Sequence, residues 1–132
     1  MRYLELVDLL AIASEVLGLE VDVLVSVTDL GLAESAVSRP QAGFAGQEQY
    51  PAIHQKAASM MWGIARNHAF IDGNKRVAVL AALEFLNLNS YDLDLEPPED
   101  VDALVRKIAA GAVEIGELAD WILGRMSGLA DG

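Results

Sequence analysis

Apolar positions recur along this chain at spacings that change from one stretch to the next. Leu4, Val7, Leu10, Ile12 or Ala13, and Leu17 fall at helical intervals, with Glu5, Asp8 and Glu15 on the other face and Gly18 as a natural stop. That pattern predicts an amphipathic first helix packed against the centre of the fold. Val21 to Val27 alternates instead and is rich in valine, which predicts a short strand or, since no pairing partner is evident, an extended connection. Thr28 or Asp29 is placed to cap a brief helix over Gly31–Ser38, which Arg39 and Pro40 end. Gln41 to Gln49 carries two glycines and one phenylalanine without any apolar period, and reads as a mobile loop suited to a lid or a substrate-docking flap.

Pro51 opens a further helix that runs to about Arg66, with Ile53, Ala57, Met60 or Met61, and Ile64 on one face. From Val77 to Leu88 only Glu84 and Asn87 are polar, so a helix there is apolar on nearly every side and has to be buried at the centre. Asn89 and Ser90 end it, and Tyr91–Leu95 leads to a break at Pro97 and Pro98. Glu99–Ala110 predicts a helix with Val101, Leu104, Val105 and Ile108 inward and Gly111 closing it. Glu114–Met126 predicts the last one, with Ile115, Leu118, Ile122 and Trp121 on its buried side. The expected architecture is a single all-α domain over residues 1–132, a compact bundle of about six helices around one central apolar helix. A 53% share of hydrophobic residues is ample for its core.

Charge narrows the partners. Lys and Arg number 9 against 20 Asp and Glu, and a net charge of −11 disfavours broad contact with a nucleic-acid backbone. Any anion site must be a small basic cluster in an acidic molecule. The absence of cysteine excludes disulfides and thiolate metal sites and is compatible with a reducing cytoplasm. Acids interrupt the apolar N-terminus, so it reads neither as a signal peptide nor as a membrane span.

One such cluster stands at the entrance to the central helix. Asp72, Gly73 and Asn74 are turn and cap residues, and Lys75 and Arg76 follow at once. Cations in a first turn oppose the helix dipole and cost about 0.3–1 kcal/mol each at exposed sites. An anion is therefore expected there: free backbone N–H groups, the dipole, a lysine and an arginine converge into a phosphate site. Asp72 beside it suits a hard cation such as Mg²⁺, and His68 brings the side chain that changes charge near neutral pH. Each residue also has an ordinary structural role: His68 as a helix-ending histidine bonded to a carbonyl, Asp72 as an N-cap, Lys75 and Arg76 as a solvated face. Phe70 is expected to anchor the loop on the bundle. His54 reads as helix surface, Trp62 and Trp121 as core or partner-facing, and Arg39 and Arg66 as either near the site or ordinary surface arginines.

The run His68–Ala69–Phe70–Ile71–Asp72–Gly73–Asn74–Lys75–Arg76 resembles the signature of the Fic/Doc family, H-x-F-x-[D/E]-[G/A]-N-[G/K]-R. The likeness extends through YPAIHQKAASMMWGIARNH upstream and VAVLAALEFLNLNSY downstream, and to Gly31–Leu32 and Ser38–Gln41. It implies a compact helical bundle and nucleotide-dependent modification of a protein hydroxyl. His68 would be the general base and Asp72 the Mg²⁺ ligand, while Gly73, Asn74, Lys75 and Arg76 would hold the phosphates of ATP. Most members of the family transfer AMP and carry glycine in place of Lys75 and a second arginine in place of Val79. Both departures are similar to the Doc subfamily, which works as a kinase with its nucleotide reversed, although Doc has alanine where this chain has Gly73. Doc-type toxins phosphorylate elongation factor Tu in the cytoplasm and are held in check by a separate antitoxin. The resemblance therefore implies a toxin of that kind, with AMP transfer and a catalytically idle antitoxin-binding module as the alternatives. Some Fic proteins also carry an inhibitory [S/T]-x-x-x-E-[G/N] helix. The nearest run here, Ser127 to Gly132, has Asp131 instead of glutamate and sits at the frayed end of the chain, so restraint is expected from a partner in trans.

Overall fold

Local capping explains where the first elements start and stop. The computed structural model describes residues 1–129 and opens with α1 (Leu6–Leu17). The Asp8 carboxylate reaches back to accept the Glu5 N–H at 2.8 Å, and Gly18, at φ 68°, turns the chain out by donating its N–H to Ser14 O.

The valine-rich stretch is not a strand. Val21–Ser26 forms a short helix, α2, with Leu24 fully buried while Val21, Val23 and Val27 stay exposed. With no neighbouring strand to satisfy its backbone, the segment bonds to itself, Leu24 N–H to Glu20 O and Val27 N–H to Leu24 O, and β propensity yields to that requirement. Asp29 then caps α3 (Leu30–Ser38) by accepting the Leu32 N–H at 3.0 Å. Its own N–H donates to Ala69 O, tying this corner to the motif loop.

The segment expected as a mobile loop is a 3₁₀ turn (Arg39–Gln41) followed by a small hairpin of β1 (Gly43–Phe44) and β2 (Gln47–Glu48). Ala45 and Gly46, both at positive φ, make its two-residue turn. Lys56 pins the hairpin to the body. Although 1% exposed, its ammonium donates to Pro40 O at 3.1 Å and to Glu48 Oε1 at 3.0 Å.

α4 (Ile53–Asn67) and α5 (Asn74–Leu88) form the middle of the bundle. α5 directs Val77, Ala78, Ala81, Ala82, Phe85 and Leu86 into the core, as its composition required. α4 is buried on more sides than one apolar stripe suggested, from Lys56 to Met61 and again from Gly63 to Ala65, because α3, α5, α6 (Pro98–Ala109) and α7 (Ile115–Arg125) all pack on it. Buried apolar side chains from all seven helices join one cluster among the described residues.

After α5 the chain forms β3 (Tyr91–Leu93), which pairs antiparallel with β4 (Met126–Gly128) in the register Tyr91↔Gly128 and Leu93↔Met126. α7 thus ends at Arg125 rather than Met126. Ser127 and Gly128 are held in this ribbon, and Leu129 N–H bonds to Ser90 O, so the segment expected to fray is tied down as far as Leu129. Residues 130–132, with the Asp131 of the inhibitory-like run, lie outside the described residues. No helix among the described residues is long and apolar enough to cross a membrane.

Candidate active site

The loop between α4 and α5 is shaped by three local decisions. α4 terminates at His68, which adopts the left-handed conformation (φ 51°, ψ 47°) that few residues other than glycine take, histidine being one of those enriched there. Phe70, 4% exposed, plugs the loop into the core as expected. Asn74 then closes it: its Oδ1 accepts the Phe70 N–H at 3.1 Å and its Nδ2 donates to Phe70 O at 2.9 Å. The asparagine side chain stands in for a strand of sheet, satisfying both backbone groups of a residue too buried to meet water.

The helix entrance is left open for a ligand. Gly73, at φ 70°, occupies the cap position of α5 and brings no side chain to the first-turn N–H groups. Asp72 does not cap the helix. Its Oδ1 accepts only the N–H of Gly73, at 2.8 Å, and the other carboxylate oxygen has no donor among the described residues. A side chain at position 73 would be strained by the backbone and would meet Val16 Cγ1 at 2.9 Å, so glycine lets α1 and the helix entrance approach closely. Lys75 and Arg76 are exposed and make no ion pair among the described residues, and the His68 imidazole has no hydrogen-bond partner there. The carbonyl bond of an ordinary helix-ending histidine is not formed among the described residues.

His68, Asp72, Gly73, Asn74, Lys75 and Arg76 all line one cleft of about 860 Å³. That lies within the 300–1,000 Å³ range usual for small-molecule sites. The periodicity missed its other walls. Val16 and Leu17 come from the end of α1, Leu95 and Glu96 from the loop before α6, and Pro98, Val101, Asp102 and Val105 from α6 itself. Val101 and Val105 read as ordinary inward positions, which they are, but part of what they face is the cleft. Val79, half-buried, and Leu80, exposed, line the cleft as well, so α5 is apolar almost all round because one side meets the core and another the cleft.

Arg39 and Arg66 are not in the cleft. Both guanidiniums lie over the Trp62 ring, at 5.2 and 5.1 Å, and Arg39 Nε donates to Ser59 O at 2.9 Å. Trp62 in turn donates to Val113 O at 3.0 Å, so this trio joins α4 to the chain on either side of it. His54 is half-buried on α4, also away from the cleft.

The fold and the signature loop together define the chain's class, and the sequence model of the Fic/DOC family matches residues 3–86, so the chain belongs to the Fic/Doc family. It is 37% identical over 127 residues to "Toxin Doc" of Mycolicibacterium smegmatis, covering 93% of this chain and 92% of that one. It is also 34% identical over 105 residues to "Protein kinase doc" of Escherichia phage P1, covering 80% of each.

Proposed function

We propose that this protein is a Doc-like toxin that transfers the γ-phosphoryl group of a nucleoside triphosphate, ATP in the first instance, to a serine or threonine hydroxyl of a translation protein similar to elongation factor Tu. The observation that carries the reading is the convergence of an unpartnered imidazole, a half-free carboxylate and an uncapped, cationic helix start in one cleft large enough for a nucleotide. The name of the phage relative, a protein kinase, supports phosphoryl transfer in particular.

In this mechanism the phosphates lie against the first-turn N–H groups of α5, with Lys75 as a point charge and Arg76 as a planar fork. Asn74 keeps those groups in place through its two bonds to the Phe70 backbone. Asp72 offers one carboxylate and the described residues contain no cluster of three or more acidic or histidine ligands, which suits Mg²⁺ brought in by the phosphates rather than a standing metal centre. Mg²⁺ held by Asp72 and the phosphates would supply charge neutralisation. His68 removes the proton from the target hydroxyl as its oxygen bonds to phosphorus; the bond to the bridging oxygen breaks and the nucleoside diphosphate leaves. Val79 supports phosphoryl over AMP transfer. It lines the cleft where AMP-transferring relatives of this family carry a second arginine, so that cation is missing from the site itself.

Such an enzyme works in the cytoplasm, and its restraint would come from an antitoxin in trans. Incubating the purified protein with bacterial lysate and ATP labelled at the α or the γ position tests the reaction. Label from the γ position on one acceptor is expected; label from the α position alone would establish AMP transfer instead. Growth arrest on induced expression should vanish in His68→Ala, and an arrest that survived would leave binding, not catalysis, as the activity.

A further inference from the structure

The cleft has two unlike sides. One is the cationic start of α5; the other, from Leu95 to Val105, includes two acidic lining residues, the exposed Glu96 and Asp102. Asp102 is already committed, since Arg106 Nε donates to its Oδ2 at 2.9 Å. Glu96 is committed only through its backbone. Its N–H donates to Asp94 Oδ1 at 3.0 Å, and its C=O accepts from Arg125 Nη1 at 2.7 Å. Arg125 reaches across from the last helix and holds the whole loop: it also donates to Asp94 O at 3.4 Å and to Asp100 Oδ2 at 3.5 Å, and its guanidinium packs 4.6 Å from the centroid of the Trp121 ring. The one polar group of Glu96 with no partner among the described residues is its carboxylate.

We propose that Glu96 is the base-side specificity determinant of the nucleotide cleft, selecting bases that present amino N–H groups (adenine, guanine, cytosine) over uracil, with Arg125 as its positioning residue. The inference rests on the nucleotide reading above. An ionised carboxylate only accepts hydrogen bonds, so it matches an exocyclic amine and opposes the carbonyl oxygens that uracil turns outward. It also repels phosphate. The triphosphate is therefore directed to Lys75 and Arg76 and the base to the α6 wall, where Val16, Leu80, Val101 and Val105 supply the apolar surface a base needs. Leaving the Glu96 backbone groups bonded inside the protein makes its position independent of the ligand, which is what a reading group requires.

Equilibrium dialysis of the purified protein with labelled ATP, against competing GTP, CTP, UTP and inorganic tripolyphosphate, tests this. UTP should compete about tenfold more weakly than the amino-bearing nucleotides, the scale of one hydrogen bond to a charged group. Glu96→Gln, which offers a donor as well as an acceptor, should close that gap without weakening UTP. Arg125→Met, which keeps a side chain over Trp121 but frees the loop, should narrow it. An equal ranking of the four nucleotides in the natural protein, or a gap that Glu96→Gln leaves intact, overturns the proposal while the nucleotide reading stands. That reading itself fails if neither ATP nor tripolyphosphate binds.

Discussion

Replacing Asn74 by alanine separates two things the signature asparagine can do: grip a phosphate or hold its own loop. The geometry weights the second. Both ends of the amide are bonded to the Phe70 backbone, at 3.1 and 2.9 Å, and Phe70 is 4% exposed, so water cannot take over both bonds while the ring stays in the core. Two ordinary hydrogen bonds are worth about 1–3 kcal/mol net, with the larger end applying if either group remains buried and unpaired. For a chain of this size each kcal/mol lowers the midpoint of thermal unfolding by about 3–4 °C. Asn74→Ala should therefore lose several degrees, or, if the loop opens alone, lose hydrogen-exchange protection at the Phe70 amide by about tenfold to a hundredfold with a smaller global change. Exchange measured by NMR together with thermal melts reads both outcomes. If the variant melts as the natural protein does and the Phe70 amide stays equally protected while phosphate transfer is lost, the loop-holding account is wrong and Asn74 acts on the ligand.

Three other substitutions probe the frame around the site. Gly73→Ala places a Cβ at 2.9 Å from Val16 Cγ1 on a residue at φ 70°, and should cost about 1–2 kcal/mol in denaturant unfolding; an unchanged midpoint would mean that α1 shifts freely. Lys56→Met keeps the buried stem but removes the bonds to Pro40 O and Glu48, and should make the Gly43–Glu48 hairpin the first site of limited proteolysis, at a stability loss of about 1–3 kcal/mol; a hairpin no more sensitive than before would show that the pin is dispensable. Burial, and then the charges of Asp8 and Glu15, raise the Glu84 carboxyl above the ordinary carboxylate range. The folded state thus binds that proton more tightly than the unfolded chain, and stability falls as pH rises from the ordinary range through the raised value. Glu84→Gln should accordingly raise the melting midpoint at pH 7, with the gain disappearing in acid below the ordinary range; a gain that persisted there would have another origin.

The residues of the candidate site were legible without coordinates because their chemistry is local. A turn, a helix start and two cations follow one another within Asp72–Arg76, and adjacency in sequence there forces adjacency in space. Helix positions were legible for the same reason, since caps such as Asp29 and stops such as Gly18 act within a few residues. Val21–Ser26 was misjudged because its conformation depends on whether a partner strand exists, a fact that no six-residue stretch contains. The far wall of the cleft lies beyond any local pattern as well: Glu96 and Arg125 are 29 positions apart, and they meet because β3 pairs with β4, which sets Asp94 N–H on Arg125 O and brings the loop before α6 against the end of α7. What the chain alone determined was therefore the set of short-range hydrogen bonds, turns and apolar stripes. Tertiary structure decided which apolar residues face the core and which face the cleft, because burial against water and burial against a ligand select the same side chains until the packing tells them apart.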